Sequence, residues 1–89
     1  MNSTFFGLLA EFETAEIPLK LVCEKYLGLS SKMAHERASL NKLPIPTYRG
    51  GSQKSIRLVS ASSLAKHIDD CKKEAVLEWE KFNNKAKNS

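Results

Sequence analysis

The sequence predicts one mainly α domain with a small β-hairpin wing, a winged helix-turn-helix extended by a long C-terminal helix. Three observations lead there. Apolar residues recur at i, i+3, i+4 and i+7 in successive segments, the mark of amphipathic helices. Gly28 separates two of those segments by only a few residues, as in a helix-turn-helix. Beyond that pair, a stretch rich in proline and glycine leads into a run of alternating polarity, which reads as strand, turn, strand. With 89 residues, 42% hydrophobic and 27% charged, the composition suits a single globular core and excludes an extended disordered chain. Residues 1–89 therefore form one unit, with 13–59 as helix-turn-helix plus wing and 60–86 as the C-terminal helix.

In chain order, Phe5, Leu8, Leu9 and Phe12 define a first helix from Ser3 to Phe12, capped by Ser3 or Thr4 and weakened by Gly7. Thr14 to Ile17 is a break. Pro18 then sits in the first turn of a second helix, where its missing N–H is least costly, and Leu19, Val22, Cys23, Tyr26 and Leu27 form that helix's inner face. Gly28-Leu29 turns the chain. Ser30 or Ser31 caps a third helix that runs to Asn41, and Pro44 forbids its continuation. On this third helix Met33, Ala34 and Leu40, with the stem of Arg37, are expected to face inward. Pro44 to Arg49 is extended, Gly50-Gly51-Ser52 turns, and Ser55 to Val59 alternates as a strand.

Ser60 or Ser62 caps the final helix, whose apolar residues Leu64, Ile68, Cys71, Ala75, Trp79 and Phe82 step by 4, 3, 4, 4 and 3. Twenty-five helical residues span about 38 Å, more than so small a domain covers. Ala75, Val76, Trp79 and Phe82, with Leu77, are left to find another surface, and a homodimer is the expected use of them. The polar end from Asn83 is expected to fray, with 87–89 as a tail.

Charge is unevenly spread. Residues 1–16 hold three acids and no base, whereas 17–59 hold eight bases and two acids, so the net charge of +4 is concentrated in the middle third. That is the electrostatic footprint of a polyanion binder. The outward stripe of the third helix, Lys32, His35, Glu36 and Ser39, lies where a helix-turn-helix presents side chains to the base edges of double-stranded DNA. Lys20, Lys25, Ser31, Arg37, Lys42, Arg49, Gln53, Lys54 and Arg57 surround it as backbone contacts, with Gln53 and Lys54 reaching from the wing toward the adjacent minor groove. Glu36 argues for sequence reading, because phosphates repel a carboxylate unless it accepts from a cytosine amino group. The plainer alternative is a solvated helix face.

The sequence carries no nucleophile elbow, no phosphate-cradling glycine loop and no His-Glu helix pair, so neither an enzyme nor a cofactor is expected. His67 and Cys71, at i and i+4, with Cys23 and His35 as distant candidates, raise a metal site. Against it stands the simpler reading of both cysteines as small core hydrophobes. Their spacing describes no disulfide framework. With no apolar run near the ~20 residues of a spanning helix and no basic segment ahead of the apolar start, a cytoplasmic location is expected.

Ile17-Pro18-Leu19-Lys20-Leu21-Val22-Cys23-Glu24-Lys25-Tyr26 resembles the opening of the PrtN-type pyocin activator family. The likeness continues through Leu43-Pro44, Arg49, Ser52-Gln53-Lys54-Ser55 and Leu64-Ala65-Lys66-His67-Ile68-Asp69, and Thr4-Phe5-Phe6 with Leu8 and Leu9 extends it to the amino end. This chain has Asn41-Lys42 where the family usually shows a glycine, and Leu58-Val59 in place of its Gly-Val. The resemblance implies a small bacterial or phage regulator that binds near promoters of phage-derived genes and activates them. The order of elements is also similar to the MerR-like domains of phage excisionases and AlpA-type regulators. Two other readings stay open. One is a recombination directionality factor that bends attachment-site DNA beside a phage integrase; the other is a protein-interaction module whose long helix docks a partner such as RNA polymerase.

Overall fold

Two β-branched residues far apart in sequence, Ile17 and Val59, face each other across an antiparallel ladder, and neither has any solvent exposure. They join the two halves of the chain. A computed structural model describes residues 3–50 and 56–87, with the side chains of the last helix described to Asn83. Its elements are α1 (Ser3–Phe12), β1 (Glu16–Pro18), α2 (Leu19–Leu27), α3 (Ser31–Ser39), β2 (Tyr48–Gly50), β3 (Ile56–Ser60) and α4 (Ala61–Lys87). The sheet order is β1-β3-β2, antiparallel throughout, so β3 is central and the wing is two strands of a three-stranded sheet. The result is a mainly helical winged helix-turn-helix with a long last helix.

β1 replaces the expected break at Thr14 to Ile17. Three residues are too few to show an alternating pattern, and the strand forms because β3 pairs with it: Glu16 with Ser60, Ile17 with Val59 and Pro18 with Leu58. Thr14 Oγ1 accepts from the Glu16 N–H at 3.2 Å, and the Ala61 N–H donates to the Ala15 carbonyl at 2.7 Å, which fastens the start of α4 to the same corner. Pro18 closes the strand and doubles as the N-cap of α2, where its missing N–H is harmless.

Caps define the helix-turn-helix. Gly28 takes φ 67, and N–H groups of Gly28 and Leu29 return to the carbonyls of Glu24 at 3.2 Å and Cys23 at 3.0 Å. Ser30 rather than Ser31 caps α3, its hydroxyl accepting from the Met33 N–H at 3.2 Å. Ser60 does the same for α4, accepting from the Ser63 N–H at 3.1 Å. α3 stops at Ser39, short of the expected Asn41, because Asn41 turns left-handed at φ 55 while the Lys42 N–H reaches back to the Arg37 carbonyl at 2.8 Å. A left-handed residue at the end of a helix is usually glycine, and asparagine is the next best tolerated.

The inward face of α3 is Ala34 and Ala38, one turn apart and both buried, instead of Met33, Leu40 and the Arg37 stem. Met33 is 41% and Leu40 63% exposed, and Arg37 is exposed. Small inward residues let α3 lie close to α2, and Leu40 lies past the helix end, so extrapolating the helical face to it fails. Cys23 is buried as expected, but Cys71 is exposed, because α4 leaves the core after Ile68. Ile45, held between Pro44 and Pro46, is buried too.

α1 packs on α4 and is fastened at both ends: Thr4 Oγ1 donates to Asp69 at 2.6 Å, and Glu11 accepts from Lys25 at 2.8 Å and from the Tyr26 hydroxyl at 2.6 Å. The hydrogen bond from Lys25, then that from Tyr26, holds the Glu11 carboxyl below the ordinary carboxylate range. α4 stays helical past Asn83 through Lys87, beyond the expected fraying point, and the Asn83 side chain donates to the Trp79 carbonyl at 2.9 Å.

Two of the left-handed caps, Gly28 and Asn41, give opposite expectations. A Cβ on Gly28 would meet nothing within 4 Å, so Gly28→Ala costs only backbone strain, about 1–2 kcal/mol. Asn41→Gly relieves strain and should leave stability unchanged or raise it by a few tenths of a kcal/mol. Urea unfolding of both variants followed by circular dichroism checks the pair.

Candidate nucleic-acid interface

The face of α3 opposite Ala34 and Ala38 is open. Lys32, Glu36 and Ser39 are exposed and His35 is half-buried at its edge. Local bonds set what these groups offer. The His35 Nδ1 lies 2.8 Å from the Ser31 carbonyl, which can only accept, so Nδ1 carries a proton and, when the ring is neutral, Nε2 is its acceptor. Ser39 Oγ donates to the Glu36 carbonyl at 2.7 Å, which commits its proton and leaves its lone pairs. The stripe is thus one cation, Lys32, followed by three acceptors.

The wing comes to the same side. Pro18, Lys20, His35, Ile56 and Arg57 line a cavity of about 230 Å³, which brings the start of α2, the middle of α3 and the start of β3 around one depression. Arg57 donates to Thr47 Oγ1 at 3.0 Å. Across the β2–β3 ladder Arg57 stands directly opposite Arg49. Like charges opposed on one sheet face destabilise the pairing, and a bound anion relieves them. The neighbouring Tyr48 reaches across β3, and its hydroxyl donates to the Glu16 carboxylate, so the outer strand of the wing is clamped to β1. That hydrogen bond, more than burial, pushes the Tyr48 hydroxyl up to about 12.

A family model described as Pyocin activator protein PrtN matches residues 4–75, from α1 into α4 and well over half of the chain. The chain belongs to that family. No curated protein and no solved structure matches it. Membership makes it a phage-type regulator, and the likeness first seen in Ile17 to Tyr26 and Ser52 to Ser55 is borne out over most of its length.

The matched span holds every residue expected to touch DNA, whereas Val76, Trp79 and Phe82 lie beyond it. Lys20, His35 and Arg57 share the cavity, Ser31, Lys32, Glu36, Arg37 and Ser39 are exposed on α3, and Lys42 is exposed just after it. Lys25 is not brought to this face. It pairs with Glu11 and lies 5.1 Å from the Tyr26 ring centre, on the α1 side. Gln53 and Lys54 lie outside the described residues. Cys23 is in the core, its thiol directed at the Lys20 carbonyl at 3.6 Å, while His67 and Cys71 approach to 3.7 Å on the surface of α4. Among the described residues no group of three or more His, Cys, Asp or Glu side chains could hold a metal, and no helix is long and apolar enough to cross a membrane.

Sequence reasoning missed Met33, Leu40 and Ile56 as surface groups beside the stripe, since large apolar residues are assigned inward by default. The alanine pair at i and i+4 was the signal that could have found the first two.

The clamp is open to titration. Tyr48 is raised on folding from the ordinary tyrosine value of about 10. Its contribution to stability is therefore complete below pH of about 10 and is lost as the pH climbs from there to about 12. In an alkaline titration read by tyrosinate absorbance, Glu16→Gln should bring one of the two tyrosine steps down toward the ordinary value. An unshifted curve would show that Glu16 does not hold Tyr48.

Proposed function

We propose that the chain is a sequence-specific double-stranded DNA-binding regulator that activates phage-type genes by inserting α3 into the major groove. The observation that carries this reading is the single depression around which Lys20, His35 and Arg57 meet, beside an α3 stripe whose Lys32, Glu36 and Ser39 are exposed. Lys32 donates to the acceptors of a guanine, while Glu36, the neutral His35 Nε2 and Ser39 accept from cytosine or adenine amino groups. Met33, exposed in the first turn of α3, and Leu40, exposed just past its end, suit thymine methyl groups. Lys20, Arg37, Lys42, Arg49 and Arg57 neutralise phosphates and supply the salt-dependent part of the affinity. Lys25, committed to Glu11, takes no part.

Fluorescence anisotropy on promoter fragments recovered with the protein from cells, against random duplex of equal length, tests the assignment. Lys32→Ala or Glu36→Ala should cost about 1–3 kcal/mol on the recovered site and relax preference at one base pair. Arg57→Gln should weaken both duplexes alike and lower the salt slope by about 1. Equal losses on both duplexes for every α3 variant would overturn the groove assignment. Footprints ahead of a transcription start support activation, whereas tandem protection at an attachment site supports excision.

A further inference from the structure

Every residue of α4 from Cys71 to Phe82 is exposed, including Trp79 at 64% and Phe82 at 79%. Yet the apolar line these residues make is the continuation of a covered one. Ala61, Leu64 and Ile68 run along one face of α4 into the core, and Cys71, Ala75, Trp79 and Phe82 carry the same face onward with nothing against it. The molecule is drawn out to 60 Å by this helix, against 27 and 16 Å in the other directions. An aromatic stripe at core spacing, left bare, calls for a partner with the same helical period.

We propose that the partner is a second copy of this chain, and that the distal halves of the two α4 helices pack antiparallel. The direction follows from the charges beside the stripe. With Ile68, Ala75 and Phe82 at the a positions of a heptad and Cys71 and Glu78 at d, the g positions are Glu74 and Lys81 and the e positions are Lys72 and Trp79. Antiparallel helices set g against g and e against e. Glu74 then meets the partner's Lys81, and Lys72 lies over the partner's Trp79 as a cation on an aromatic face, each contact occurring twice by symmetry. Phe82 packs on the partner's Cys71, and Glu78 falls opposite the partner's Ala75, whose small side chain leaves the carboxylate a path to solvent. Parallel helices set g against e instead, so Glu74 faces the partner's Trp79 and His67 faces the partner's Lys72, and no opposite charges meet. Among the described residues neither Glu74 nor Lys81 has an ion-pair partner within the chain, so both are available. Val76 and Leu77, at the b and c positions, lie outside this interface.

The dimer goes beyond the DNA reading and does not require it: α4 can pair in a protein that binds no duplex, and α3 can bind duplex as a monomer. Sedimentation equilibrium of the full chain at tens of micromolar in reducing buffer is expected to give a dimer. Trp79→Ala and Phe82→Ala should each raise the dissociation constant about tenfold while leaving the thermal unfolding of the core in place. Glu74→Lys and Lys81→Glu should each weaken the dimer several-fold. Mixing those two variants should produce a heterodimer tighter than either homodimer, because every g pair is then of opposite sign, and the double reversal in one chain should restore wild-type affinity. A monomer throughout this range, or a dimer indifferent to Trp79→Ala, would overturn the proposal. So would charge variants that fail to complement, or oxidation that rapidly joins the chains through Cys71, since only the parallel arrangement sets the two thiols face to face.

Discussion

The contact between Ile17 and Val59 holds the architecture together. Each is a large apolar side chain removed wholly from water, worth about 1.5–3 kcal/mol of transfer free energy, and each belongs to a strand with little claim to exist alone. β1 has three residues and β2 has three; only β3, between them, gives both their hydrogen bonds. Because β1 leads straight into α2 and β3 straight into α4, one ladder fixes the helix-turn-helix, the wing and the last helix against each other. Leu19, Val22 and Leu64, all fully buried, complete the core from the helices on either side.

Economy of size on the inside of α3 decides what is available on its outside. Two alanines suffice to seat the helix, so none of its longer side chains is drawn into the core, and among the described residues no buried side-chain nitrogen or oxygen is left without a hydrogen-bond partner. α1, whose phenylalanines were the one obvious rival for that space, packs on α4 and is tied down by Asp69, Lys25 and Tyr26. The acidic amino end of the chain is thereby kept with the helices, where Glu11 pairs with Lys25.

Much of this was legible in the residues. The boundaries of α1 and α2, the glycine turn, a serine cap on α3 and on α4, and the strand that became β3 all follow from local rules: periodicity, capping and left-handed tolerance act over a few residues and leave their mark there. The family likeness, carried by contiguous runs of sequence, was legible for the same reason. What escaped was non-local. β1 owes its existence to a strand forty residues away, and the pairing of Lys25 with Glu11 depends on how α1 returns across α2. The inner face of α3 escaped because hydrophobic size suggested Met33 and Leu40, whereas the closeness of approach to α2 selected alanine. Cys71 looked like core because its spacing continues that of Leu64 and Ile68, and spacing alone does not say where a core ends.

Pro18 has a mechanical consequence. It closes β1 and caps α2 at φ −57, and its ring forbids rotation about the bond between nitrogen and Cα. The junction of sheet and helix therefore has one torsion fewer than any other residue would leave it, and the angle between β1 and α2 is correspondingly stiffer.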